Sequence, residues 1–175
     1  MGRLVIVVSC WLALLATGAV IAGAHGAGVS QCATRQLAAR TRSPTAGLGH
    51  DGFVLVLTNR SSARCRTGGY VGLLRLGVGG RPLPTKLHRG SGYLYESGPP
   101  RTLVLGPGRS ASAGVEWLGG LSPIDPQDCP SAGRRLEVTP PNARTHLTIR
   151  ATTGDCDAGF MSTTALVAGT GGPRT

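Results

Sequence analysis

Aromatic residues are scarce: two Phe, two Trp and three Tyr make up 4% of a 175-residue chain. Any core must therefore rest on Leu, Val and Ile. The cations also lack the interleaved aromatics of a nucleic-acid stacking platform, so no nucleic-acid partner is expected. Lysine is nearly missing, Lys86 being the only one, and eight acidic residues face eighteen Lys plus Arg. Charged residues total only 15%, which argues against a charged disordered chain. Motifs of chemistry are missing too. There is no C-x-x-C for zinc or thiol redox work, no G-x-S-x-G nucleophile elbow, and no phosphate-cradling glycine loop. His50, His88 and His146 follow the N-terminal apolar run without the H-x-H or H-x-x-x-H spacing that would place two ligands on one metal. The sequence thus predicts no catalytic set, no metal and no cofactor, and a protein that is not an enzyme.

Glycine (28) and proline (12) are plentiful, and 41% of residues are hydrophobic. That combination suits one globular domain of many short strands joined by turns. The net charge is +10. The arginines are scattered (Arg35, Arg40, Arg42, Arg60, Arg64, Arg66, Arg75, Arg81, Arg89) and form no basic run. They read first as a solvated cationic surface, and secondly as a face for carboxylate or phosphate, which guanidinium binds bidentately.

The N-terminus is of another kind. Residues 4–21 are almost wholly apolar, Arg3 precedes them, and Ala22-Gly23-Ala24 follows as a small-residue cleavage pattern. This reads as a signal peptide over residues 1–24, with a short linker at 25–30, a domain at 31–168 and a flexible tail at 169–175. Left uncleaved, a run of about 20 residues would also span a bilayer. A membrane association is expected only in that case, and the protein is otherwise expected to be secreted or in the cell envelope. Cys10 lies too early in the run to serve as a lipid-attachment site.

Removing Cys10 with the signal leaves Cys32, Cys65, Cys129 and Cys156, an even set that implies two disulfides in an exported domain. Of the three connectivities, Cys32–Cys65 with Cys129–Cys156 is preferred, because each bridge joins sequence neighbours.

Along the domain, Leu37 is expected to turn inward, and Ser43-Pro44-Thr45-Ala46-Gly47 reads as a loop. Residues 53–58 (FVLVLT) are apolar on both faces and predict a central strand. Strands follow over 70–76, 101–105, 110–118, 134–139, 145–151 and 159–167. Gly77, Gly79 and Gly80 are expected to supply left-handed turn positions, and Pro82 and Pro84 mark an edge strand or loop. In 110–118, Ala111, Ala113, Val115 and Trp117 share one face. The pattern predicts an all-β protein, an antiparallel β-sandwich of immunoglobulin-like architecture with two disulfides.

The ordered landmarks resemble a known family. Cys32 with Leu37, Phe53-Val54-Leu55-Val56-Leu57-Thr58-Asn59 leading to Cys65, Gly68-Gly69-Tyr70, Leu105-Gly106-Pro107-Gly108 before Ala111, Ala113 and Trp117, then Cys129, Leu136-Glu137-Val138-Thr139-Pro140-Pro141 and Cys156 are similar to the secreted actinobacterial domain of unknown function 4232. The resemblance spans residues 30–168. It implies an exported or envelope-anchored β-sandwich with the two disulfides above, and it supplies no activity and no catalytic residues. Val71 stands where the family tends to carry proline, and the lipid-attachment cysteine of many relatives has no counterpart here.

For function, Tyr93 and Tyr95 are expected to point the same way from an exposed hairpin and, with Arg89 and Arg101, to form a binding surface. Trp117 is expected in the core. Asp125, Asp128, Asp155 and Asp157 read as a loop rim paired with Arg134 and Arg135 rather than as a Ca²⁺ site. The leading expectation is a non-catalytic module for an anionic envelope polymer, a lipid head group or an exported protein partner. A structural accessory domain comes next, and a hydrolase built on His50, His88 or His146 last.

Overall fold

Short runs rich in Val, Leu, Ile and Thr between glycines and prolines become strands because their side chains pack on a pleated surface and their ends break cheaply. The structure, a computed structural model, describes residues 28–47, 49–119, 133–154 and 156–174. The signal and the expected cleavage site, Cys129, Asp125, Asp128 and Asp155 lie outside the described residues.

Eleven strands run in chain order among the described residues: β1 (Leu37–Gly47), β2 (His50–Asn59), β3 (Cys65–Thr67), β4 (Gly72–Leu76), β5 (Lys86–Arg89), β6 (Leu103–Leu105), β7 (Ser110–Leu118), β8 (Gly133–Thr139), β9 (Leu147–Thr153), β10 (Phe160–Thr163) and β11 (Val167–Ala168). The chain is all-β, as its turns and alternation predict. Among the described residues the helical pieces are single turns, 3-10 at Thr34–Gln36 and Val78–Gly80 and a turn at Cys156–Gly159 with left-handed φ at Asp157 and Ala158. Gly79 and Gly80 take φ of 70° and 81° as expected, whereas Gly77 is extended with φ −81°.

The large sheet has the order β1-β2-β7-β10-β5, with β11 also paired to β7. Two smaller sheets are β3-β6 and β4-β8-β9. Every pairing within the strands is antiparallel except β5 with β10. The purely antiparallel expectation is corrected there. The chain enters β5 from β4 in another sheet, through Pro82 and Pro84, so no hairpin dictates its direction.

The expected loop at 43–47 is a second correction, because it belongs to β1. Between Arg42 and Thr45 the pairing with β2 slips by one residue, and Ser43 has φ 48°. A bulge on an edge strand leaves Pro44 without a required ladder hydrogen bond, which is how proline survives inside β1.

One core joins the layers. Leu55, Leu57, Ala113 and Val115 of the large sheet pack with Leu73, Leu105, Leu136 and Val138 of the smaller ones, and with Val71 just before β4. Cys32 and Cys65 lie within it and form a disulfide closing a separation of 33 residues. Such a loop adds about 3–4 kcal/mol in the chain-entropy account. Cys156 is buried with its sulfur 3.3 Å from the Gly119 carbonyl oxygen, and its expected partner Cys129 is outside the described residues.

The outer face of the large sheet is also covered. Tyr95 and Leu94 pack on Val54 and Val56, and residues 169–174 lie close by. Gly172 N–H donates to Ser112 Oγ at 3.0 Å, and Glu96 N–H donates to the Arg174 carbonyl at 3.0 Å. The tail expected at 169–175 is hydrogen-bonded to the body at Gly172 and Arg174. This cover explains why β7 is buried from Ala111 to Trp117 on both faces, rather than half-buried as its alternation predicts.

Candidate functional site

Two polar regions stand out, and they are built differently. The first centres on Glu116 of β7, which is buried at 5% exposure on the outer face of the large sheet. Its carboxylate accepts from Tyr93 N–H at 2.6 Å and from Leu94 N–H at 2.7 Å. Three glycines make this fit. A Cβ at Gly92 would overlap the Glu116 carboxylate, one at Gly114 would overlap the Tyr95 ring, and one at Gly52 would come within 3.1 Å of both Leu94 and Tyr95. His50 Nδ1 lies 3.7 Å from Glu116 Oε1, and its ring stacks on Tyr93 at 4.8 Å. Burial, and then the Glu116 charge, raise the Tyr95 phenol above its ordinary range.

This region corrects the expected tyrosine pair. Tyr93 is exposed, at 56%, but Tyr95 is a core residue at 4%. Alternation holds only in a strand, and residues 91–98 form an irregular segment pinned by Glu116. Arg89 is exposed at the end of β5 opposite Thr163, and Arg101 is exposed beside Gln31, Arg66 and Asn142 in a shallow cleft of about 270 Å³. No hydrogen bond or ring contact among the described residues unites Tyr93, Tyr95, Arg89 and Arg101 into one surface.

The histidines have three different surroundings. His50 faces Glu116, His88 stacks on Phe160 at 6.3 Å, and His146 lies 3.3 Å from Glu137. Among the described residues no group of three or more His, Cys, Asp or Glu is placed to hold a metal ion.

The second region is cationic and open. In β8 and β9, Leu136 pairs with Ile149 and Val138 with Leu147 toward the core. The alternate positions face solvent and bring Arg135 directly opposite Arg150. Next to this pair the register slips between Gly133 and Arg135, so Ala151 and Thr152 of β9 oppose Arg134 alone. Arg134, Arg135 and Arg150 are all exposed. With Thr41, Ala151 and Thr152 they line a cleft of about 680 Å³ between β1 and the β8–β9 pair. The rim of Asp157, Arg134 and Arg135 expected from sequence is not formed by ion pairs among the described residues, where the close charge contacts are His50–Glu116 and His146–Glu137.

Beneath this face lies an arginine of the opposite kind. Arg75 of β4 points inward, fully buried, donating from Nε to Thr153 Oγ1 at 3.1 Å and from Nη1 to the Pro84 carbonyl at 3.2 Å. Burial lowers its pKa. Gly159 and Gly133 leave room for it: a Cβ at Gly159 would come within 2.7 Å of Nη1, and one at Gly133 would overlap the Thr153 hydroxyl. Nothing in the local sequence distinguishes Arg75 from its exposed counterparts, so sequence reasoning missed it.

A second cleft, of about 510 Å³, shares Thr41, Ala151 and Thr152 with the arginine cleft. Phe53 and Trp117 form its inner part, their centroids 5.4 Å apart, and Trp117 is buried as expected. Ala46, Asp51 and Trp117 lie side by side across β1, β2 and β7. The two contiguous clefts form one groove, with Arg134, Arg135 and Arg150 in one part and Asp51, Phe53 and Trp117 in the other, where Arg42 also borders the cleft but donates from Nη1 to Thr170 Oγ1 at 3.3 Å.

The architecture and groove define a disulfide-bridged all-β domain with a cationic surface groove. The family model described as Domain of unknown function (DUF4232) matches residues 32–167, and the chain belongs to that family. No curated protein and no solved structure matches it.

Proposed function

We propose that the protein is an exported, non-catalytic module that binds an anionic polymer of the cell envelope through the groove lined by Arg134, Arg135 and Arg150. The observation that carries this reading is the Arg135–Arg150 pair. Like charges at paired positions on one sheet face cost stability, and here the next carboxylate along that face, Glu137, pairs with His146 rather than with either arginine, while the Arg135 guanidinium lies over Gly80. An anion bridging two guanidinium groups would remove that cost and gain bidentate hydrogen bonds. The net charge of +10 adds long-range attraction.

Export rests on the apolar run at 4–21 and on the Cys32–Cys65 disulfide, a bond rare in reducing compartments. Among the described residues no helix is long and apolar enough to cross a membrane. The same reading places the second bridge between Cys129 and Cys156, the architecture among the immunoglobulin-like sandwiches, and the origin among the actinobacteria.

Co-sedimentation with anionic cell-wall material tests the proposal. The protein should be retained at low ionic strength and released as salt rises. Replacing Arg134, Arg135 and Arg150 together by Ala should abolish most of that retention. Retention unaffected by the triple replacement, or insensitive to salt, would refute it.

A further inference from the structure

We infer that the ligand is an anionic polysaccharide, its charged groups held by the arginine cleft and a sugar ring held in the adjoining cleft beside Asp51, Phe53 and Trp117. The inference rests on the anionic-polymer reading and narrows it to one class.

The adjoining cleft is the wrong place for another anion. Asp51 lies on its wall, where like charge repels, and Arg42, which also borders the cleft, is turned to donate from Nη1 to Thr170 Oγ1 at 3.3 Å. Asp51 extends the inward row of β2 past Leu55 and Phe53, so its carboxylate sits where the apolar face ends and the groove opens. Among the described residues no donor bonds to it or pairs with it. An ionised carboxylate has acceptor sites only, and adjacent hydroxyls of a sugar would fill them. Thr41, Thr45 and Thr152 add hydroxyls along the same walls.

The inner part of the cleft suits the rest of a sugar. A pyranose presents hydroxyls at its rim and C–H groups on its faces, and those faces pack on aromatic carbon. Phe53 and Trp117, tilted at 58° to each other and 6% and 7% exposed, offer a small area of such carbon at the base of the cleft. A volume of about 510 Å³ falls within the range of small-molecule sites, which pair an apolar lining with a few placed polar groups. Because Thr41, Ala151 and Thr152 border both clefts, a ring beside Asp51 would have its own or its neighbour's anionic group directed toward Arg134, Arg135 and Arg150. A polyanion without rings would occupy only half of the groove, and a neutral glycan only the other half.

Three polymers separate these cases in a titration at fixed low salt: polygalacturonate (ring and carboxylate), polyglutamate of matched charge (carboxylate without ring) and dextran (ring without charge). Polygalacturonate should bind at least tenfold more tightly than polyglutamate, and dextran should bind far more weakly than either. Ala46→Trp, on the exposed edge strand and opposite Asp51, fills the ring cleft. It should erase the preference for polygalacturonate and leave polyglutamate affinity unchanged. Asp51→Asn keeps the shape and serves as the second variant. It should weaken polygalacturonate severalfold without weakening polyglutamate. Equal affinities of the wild type for the two polyanions, or a preference that survives both variants, would overturn the sugar assignment alone. Failure of the wild type to bind either polyanion would overturn the anionic-polymer reading, and this inference with it.

Discussion

Glu116 and the Arg135–Arg150 pair are charged groups on opposite layers, and the protein treats them in opposite ways. Glu116 is 5% exposed and has two backbone N–H partners within 2.7 Å, so its carboxylate is satisfied inside the fold. The arginines are exposed, occupy directly paired positions, and have no carboxylate within ion-pair distance among the described residues. A buried charge must be satisfied internally or the fold fails. An exposed one can be left for a ligand, at a small cost in stability. The first region therefore reads as structure and the second as function.

The comparison can be broken at several points. The largest effect belongs to the tyrosines. Tyr95→Ala should cost about 3–5 kcal/mol, the loss for a large aromatic leaving a packed site, whereas exposed Tyr93→Ala should stay within about 1 kcal/mol. Urea denaturation of both variants checks this, and comparable losses would restore the exposed hairpin. Next comes Glu116→Ala, which strands two N–H groups and should cost about 2–3 kcal/mol. Glu116→Gln keeps one acceptor oxygen and should cost less.

A smaller effect is the alkaline one. The Tyr95 pKa is raised on folding by burial and by Glu116. A group raised in the folded state contributes stability that is complete below its unfolded pKa, near 10 for tyrosine, and that is lost as pH rises through the folded value. The denaturation midpoint should therefore fall above about pH 10, and Tyr95→Phe should flatten that fall. The smallest effect is on the open face. Arg150→Ala should leave stability within about 0.5 kcal/mol, on the favourable side, because it removes a like-charge neighbour. A loss as large as that of Glu116→Ala would mean that Arg150 is structural.

The strands were legible where local pattern suffices. Residues 53–58 are apolar on both faces and became the buried centre of β2, and the strand expected over 134–139 is β8, with Leu136 and Val138 turned inward. Two features escaped because they depend on partners far along the chain. Tyr95 is buried through Gly114 and Glu116 of β7, and no spacing within 91–98 reveals that. The arginine cleft depends on register, since Arg135 and Arg150 look isolated until β8 and β9 pair. Pro44 misled for a third reason: proline usually ends a strand, and only the bulge in β1 tolerates it.

The central claim is that position, and not net charge, makes the groove a binding site. The direct measurement is the affinity for polygalacturonate as a function of salt, for the wild type, Arg135→Ala/Arg150→Ala, and Arg60→Ala/Arg64→Ala. The last pair removes the same charge from exposed positions after β2. The account predicts that the groove variant loses at least tenfold in affinity at low salt and flattens the salt dependence, while the control stays within about twofold. Equal losses in the two variants would contradict it and reduce the arginines to a diffuse cationic surface.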